Sequence, residues 1–162
     1  MNITPAQLSA EFDRVVKIGW LPLFAAAAKQ YNFSTSLLLA IASRETNLTS
    51  IKGDFRDGQY HGYGIMQIDI ATDPAFCSTW NPTKLAESIN EGALILSEKR
   101  AQLVAAGITD PHALAASYNA GATAVIRALA EGNSADSVTT GRDYGTDVIE
   151  RATAFASQMT TT

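Results

Sequence analysis

Leu8, Phe12, Val15 and Val16 recur at three- and four-residue spacing among polar neighbours, which is the signature of one buried helical face. Thr4-Pro5-Ala6-Gln7 just before them reads as a helix start, with Thr4 as N-cap and Gln7 closing a capping box. Pro22 opens a second helix that ends near Tyr31. Ser34 caps a third that reaches Glu45, with Leu37, Leu38 and Ile41 along its inward stripe. From Leu48 to Asp73 the helical period gives way to glycines and aspartates, which predicts turns and short strands, with Asp57-Gly58 as a hairpin turn. Helical spacing returns at Asn81-Pro82 and continues through Leu85, Ile89, Ala93, Leu96 and Leu103 until Gly107 ends it. Further helices are expected from Asp110-Pro111 to about Asn119, from Ala122 to Ala130, and from Asp143 or Tyr144 through Phe155. The stretch from Gly132 to Arg142 reads as a polar surface loop. The predicted class is α+β, mostly α, with a small antiparallel β-element after the third helix.

Composition narrows the possibilities. A chain of 162 residues, 46% hydrophobic and 17% charged, fits one globular domain over 1–162. Within it, a motif-bearing core of about 37–158 follows N-terminal helices in 1–33. The net charge of −4, with no run of Lys or Arg, leaves no electrostatic footprint for nucleic acid. The apolar stretch from Ile18 to Ala28 is too short to span a bilayer. Glu11, Asp13, Arg14 and Lys17 precede it, where a secretory signal would have a short basic start, so it reads as a core helix. Neither a signal peptide nor a membrane partner is expected. Cys77 is the single cysteine, which excludes an internal disulfide and makes a packing role the simplest one.

The chemistry starts at Glu45. Four and seven to eight residues after Ile41, Leu38 and Leu37, it lines up with an apolar stripe, where desolvation favours a protonated carboxyl. Taken alone, it reads more readily as a helix end in solvent, paired with a local Arg; the residues that follow reverse that preference. Asp54, Asp57 and Asp69 follow in a glycine-rich segment, and cleavage of a glycosidic bond needs two carboxyl groups in different environments. Within Gly62-Tyr63-Gly64-Ile65-Met66-Gln67-Ile68-Asp69, the glycines permit close approach to a ligand, and Gln67 and Asp69 need polar partners. The aspartates match no EF-hand spacing and no His-rich set joins them, so neither a metal nor another cofactor is expected. Tyr118-Asn119 before Gly121 suits sugar recognition, though Asn and Gly there also serve as ordinary helix capping. Tyr144 reads by itself as a packing residue.

Ser43-Arg44-Glu45, Gly53-Asp54, Gly62 to Asp69, Tyr118 to Gly121, and Asp143-Tyr144 to Asp147-Val148 occur in the order seen in goose-type lysozymes. The resemblance covers roughly Leu38 to Ala156. The related soluble lytic transglycosylases share the acid Glu, the Gly-Met-Gln segment and the Tyr-Asn pair. The resemblance implies a lysozyme-like fold and cleavage of the β-1,4 bond between N-acetylmuramic acid and N-acetylglucosamine in peptidoglycan glycan strands, by a monomer. It implies that Glu45 is the catalytic acid and that Asp69 and Asp54 position water in an inverting hydrolysis. Asp57 is an alternative to Asp54, because the loop lengths here differ from vertebrate members. Gln67, Tyr118, Asn119 and Tyr144 fall to substrate contact or acid orientation. A lytic transglycosylase and a non-catalytic wall-binding module are the other readings. Sequons at Asn2, Asn32 and Asn47, with no disulfide or signal peptide, suggest a phage or bacterial lysin acting on the wall outside the cell or in the periplasm.

Overall fold

The computed structural model describes residues 3–160. Thr4 starts α1 (Pro5–Lys17) as expected: its side chain accepts from Gln7 N while Thr4 N donates to Gln7 Oε1, and both halves of the capping box form. The helix buries Leu8, Phe12 and Val15. α2 (Leu21–Tyr31) has Pro22 in its first turn. Ser34 caps α3 (Thr35–Thr46) by accepting from Leu37 N. Asn32 and Asn47, the two sequon residues within the described range, are exposed left-handed C-caps of α2 and α3; Asn2 lies outside the described residues.

α3 does not carry the single inward stripe read from its sequence. Leu38 through Ser43 are all buried, whereas Leu37 is only half-buried. A helix covered on every side belongs at the centre of a core, and α3 packs between α2 and α8 (Tyr144–Met159). Glu45 therefore emerges at the end of the most buried helix, and its local environment, not a periodic stripe, sets its chemistry.

A three-stranded antiparallel sheet follows in the order β1 (Lys52–Arg56), β2 (Gln59–Tyr63), β3 (Ile68–Asp69). Asp57 and Gly58 join β1 to β2 with φ of 51° and 78°, and Arg56 pairs with Gln59. Two positive φ values in a two-residue loop are what a type I′ hairpin requires. α4 (Pro74–Thr79) is a helix of six residues that periodicity did not reveal, capped by Asp73. α5 (Leu85–Ala105) starts later than the Asn81-Pro82 signal, and α6 (Pro111–Ala120) and α7 (Ala122–Ala130) lie close to their predicted spans.

The polar loop expected from Gly132 to Arg142 is a correction. It folds into 3-10 turns at Ala135–Val138 and Thr140–Arg142, and Ala135, Asp136 and Thr139 are buried. Ala135 joins a small cluster with Leu103, Ala113, Ala116, Ala122 and Val125, which seats α6 and α7. The main core runs from Phe12 and Phe155, stacked with ring centroids 6.2 Å apart, through α3 to Ile65, Met66 and Ile68. Cys77 is buried there, and burial together with the charges of Asp73, Asp69 and Glu91 pushes its thiol up to about 11. Among the described residues, no helix is long and apolar enough to cross a membrane.

A candidate active-site cleft

The end of α3, the hairpin and the end of α6 enclose a polar cleft of about 360 Å³. Glu45, Asp54, Gln67, Asp69, Tyr118 and Asn119 all line it, so the fold gathers residues spread over much of the chain. Asp57 does not; it sits in the turn at the hairpin tip. Tyr144 lies behind the cleft wall, buried, and its hydroxyl donates to Glu45 Oε1 at 2.5 Å. A larger hollow of about 560 Å³ between α1 and α8 holds none of the sequence-predicted site residues. No group of three His, Cys, Asp or Glu among the described residues is placed to hold a metal.

Burial dominates the electrostatics of Glu45. Withdrawal from water raises its pKa, the Tyr144 hydrogen bond and the Arg44 charge oppose that rise, and the result is about 7. The phenols of Tyr118 and Tyr144 are themselves pushed well up, by burial first and by the Glu45 charge second, so both stay neutral donors. The Tyr118 hydroxyl donates to the Met66 carbonyl at 2.9 Å, which pins the loop before Asp69.

Tyr144 is the first residue of α8, and two sets of contacts fix that end of the helix. Arg44, beside Glu45, donates to Asp147 and Asp143, each at 2.8 Å, and its guanidinium lies 5.5 Å from the Tyr144 ring centre. Asp147 also accepts from Arg151 Nε, whose Nη1 donates to Ser43; Ser43 in turn donates to Glu11, tying α1, α3 and α8 together. From the other side, Asp136 accepts from Gly145 N at 2.6 Å and Thr146 N at 3.0 Å, while Thr139 Oγ1 accepts from Tyr144 N. The 3-10 turn thus satisfies the first amides of α8, a helix with no side-chain cap of its own at Asp143. Sequence reasoning missed Arg44, Asp136, Thr139, Asp143, Asp147 and Arg151 as supporting groups. Four-residue spacing of Asp143, Asp147 and Arg151 was the available signal.

The glycines of the hairpin serve a different purpose from the one expected. A Cβ on Gly53 or Gly62, which pair across the strands, would fall 2.1 or 2.3 Å from Gln67 Oε1. Gln67 fills that space, and its amide donates to the Ile51 and Gly64 carbonyls. The room read as space for a ligand is occupied by a side chain that locks the hairpin to the cleft floor. Both Gln67 (φ 48°) and Asp54 (φ 51°) are left-handed, and Asp54 interrupts the ladder between the Gly53–Gly62 and Phe55–Tyr60 pairs. Such backbone costs about 1–2 kcal/mol per residue and is held here by surrounding contacts. Asp54 faces Arg56 at 3.5 Å, and Asp69 Oδ1 accepts from Ala71 N at 2.7 Å.

A carboxyl with its pKa raised to about 7 at the end of a buried helix, in one polar cleft with two aspartates on a mostly α scaffold with a small sheet, is consistent with a lysozyme-like glycosidase. The family model for Lysozyme g, the goose-type lysozymes, matches residues 9–159, and the chain belongs to that family. No curated protein matches it. At the level of the family it is a glycoside hydrolase, a muramidase acting on peptidoglycan.

Proposed function

We propose that the chain is an inverting muramidase that hydrolyses the β-1,4 bond between N-acetylmuramic acid and N-acetylglucosamine, working as one catalytic unit and as a monomer. Glu45 gives its proton to the leaving glycosidic oxygen. Its pKa, raised to about 7, keeps enough of the acid form near neutral pH for that step, and the observation that carries the reading is the gathering of Glu45 with Asp54 and Asp69 in one cleft. Asp69 and Asp54 hold the attacking water on the opposite face of the sugar ring. The presence of both in the cleft with Glu45, and the position of Asp57 outside it, support Asp54 over Asp57 for this role. Asn119 Oδ1 accepts from Thr140 N at 2.8 Å, which orients its amide NH2 as a donor for a sugar oxygen. Tyr118 offers a ring wall, Gln67 an amide oxygen, and Tyr144 orients the acid.

A lytic transglycosylase would use Glu45 as acid and then base, with the muramoyl 6-hydroxyl as nucleophile, and needs no second carboxylate; two aspartates in the cleft favour hydrolysis. A wall-binding module would need no desolvated acid. The proposed place of action is the cell wall, outside the cell or in the periplasm, as a phage or bacterial lysin. Mass spectrometry of products from purified peptidoglycan tests the reaction. Hydrolysis predicts reducing muramic-acid ends, whereas 1,6-anhydro ends would assign the chain to transglycosylation.

A further inference from the structure

Past Asp69 the cleft continues into a small hollow of about 50 Å³, lined by Gln67, Asp69, Thr72, Ile95, Lys99 and Tyr118. Gln67, Asp69 and Tyr118 line both spaces, so the hollow is an annex of the cleft. Lys99 enters it from the middle of α5 and is half-buried. Arg100, the next residue, spends its guanidinium on the Asn32 and Tyr31 carbonyls at 2.8 and 2.7 Å. Lys99 has no comparable partner among the described residues: only the field of Glu98 reaches it, and burial outweighs that field and lowers its pKa. A half-buried ammonium with no ion pair among the described residues is left able to take a partner from outside.

The annex is far too small for a sugar ring but admits a carboxyl-sized group, with the apolar wall of Ile95 beside it. Its charge setting is unusual. The chain is net negative and the cleft holds Glu45, Asp54 and Asp69; Arg56 in the cleft and Lys99 in the annex are the basic side chains that line these spaces, and Lys99 offsets the charge of Asp69 there. We propose that Lys99 forms a carboxylate-binding subsite, in which a carboxylate carried by the muramoyl unit enters the annex and pairs with the Lys99 ammonium. This rests on the peptidoglycan reading above and adds a basis for preferring muramoyl glycans over plain chitin-type chains. The carboxylate has two sources: the lactyl group of a muramoyl unit without its peptide, or the stem peptide where that is attached.

Isothermal titration on the non-cleaving Glu45→Gln protein, with and without Lys99→Met, separates these cases. The ligands are chitotetraose, a muramoyl tetrasaccharide stripped of stems, and the same tetrasaccharide with stems. Lys99→Met is expected to weaken the carboxylate-bearing ligands about tenfold, the scale of one charge-assisted contact, and to leave chitotetraose within about twofold. A loss confined to the stripped ligand identifies the lactyl carboxylate, and one confined to the stem-bearing ligand identifies the peptide; both support the subsite. Equal losses on all three, or none on any, overturn it while leaving the cleft reading intact. Failure of every glycan to bind the Glu45→Gln protein overturns the cleft reading and the subsite together. Lys99→Arg, which keeps the charge, should retain the preference for carboxylate if Lys99→Met proves poorly folded.

Discussion

Glu45 and Asp136 are both withdrawn from water and both tied to the first turn of α8, Glu45 through the Tyr144 hydroxyl and Asp136 through the Gly145 and Thr146 amides. Burial pushes both pKa values up, yet Glu45 ends at about 7 and Asp136 at about 2. Desolvation weighs more on Glu45, and the donors differ sharply. Asp136 accepts from two backbone amides, the Thr146 and Thr139 hydroxyls and His112 Nε2, which together outweigh its desolvation. Glu45 has one hydroxyl donor and the opposing charge of Arg44. Ionisation follows the balance between desolvation and the donors aimed at the carboxylate, and the two groups fall on opposite sides of it. One helix end therefore holds a structural anchor that is ionised at neutral pH, through Gly145 and Thr146, and beside them Tyr144, the partner of a proton-bearing acid.

The largest effect should come from removing the acid. Glu45→Gln is expected to lower turnover on peptidoglycan at least about a hundredfold with the circular dichroism spectrum unchanged. Retention of more than about a tenth of wild-type turnover would reassign the acid. On the other side of the comparison, Asp136→Asn should leave the chemistry in place but lower stability by about 2–3 kcal/mol in urea unfolding at neutral pH. The sign follows from linkage: the folded pKa lies below the unfolded value, so the stabilisation is full above about pH 4 and fades as pH falls through about 2. Asp136→Asn should lack this part of the acid-unfolding slope, and an unchanged slope would remove Asp136 from its anchoring role.

Glu45 has the opposite linkage. Its folded pKa exceeds the unfolded one, so the native state loses stability as pH rises from about 4.5 through 7. Glu45→Gln should therefore gain about 1–2 kcal/mol at pH 8 and almost nothing at pH 4, read from urea midpoints at the two pH values. A smaller shift is expected from Tyr144→Phe, which removes a donor that favours the carboxylate. The alkaline limb of the activity profile should move up by about half to one pH unit, and a downward movement would show that Tyr144 does not donate to Glu45.

How far these features were legible before folding follows from the range over which their causes act. The capping box at Thr4 and Gln7, the Asp57-Gly58 turn and the helix spans of α6 and α7 rest on neighbours a few residues apart, and the sequence expresses them directly. Glu45, Asp69 and Tyr118 were found as residue types in ordered motifs. The all-round burial of α3 was not visible, because Ser36, Ala40 and Ser43 read as polar or neutral until α2 and α8 cover them. The Asp136 anchor was mistaken for a surface loop for a similar reason: its amide donors lie nine and ten residues ahead, and His112 comes from another helix. Gln67 was identified as a polar group needing partners, but the glycines it would fill against are apart in sequence and meet only across the hairpin.

The contrast between the two carboxyl groups, and with it the role of Glu45 as an acid near neutral pH, is most directly tested by carbon-detected NMR titration of the Glu45 side-chain carboxyl in the free enzyme. A midpoint at about 7 is predicted. A midpoint near the ordinary glutamate value of about 4.3 would contradict it.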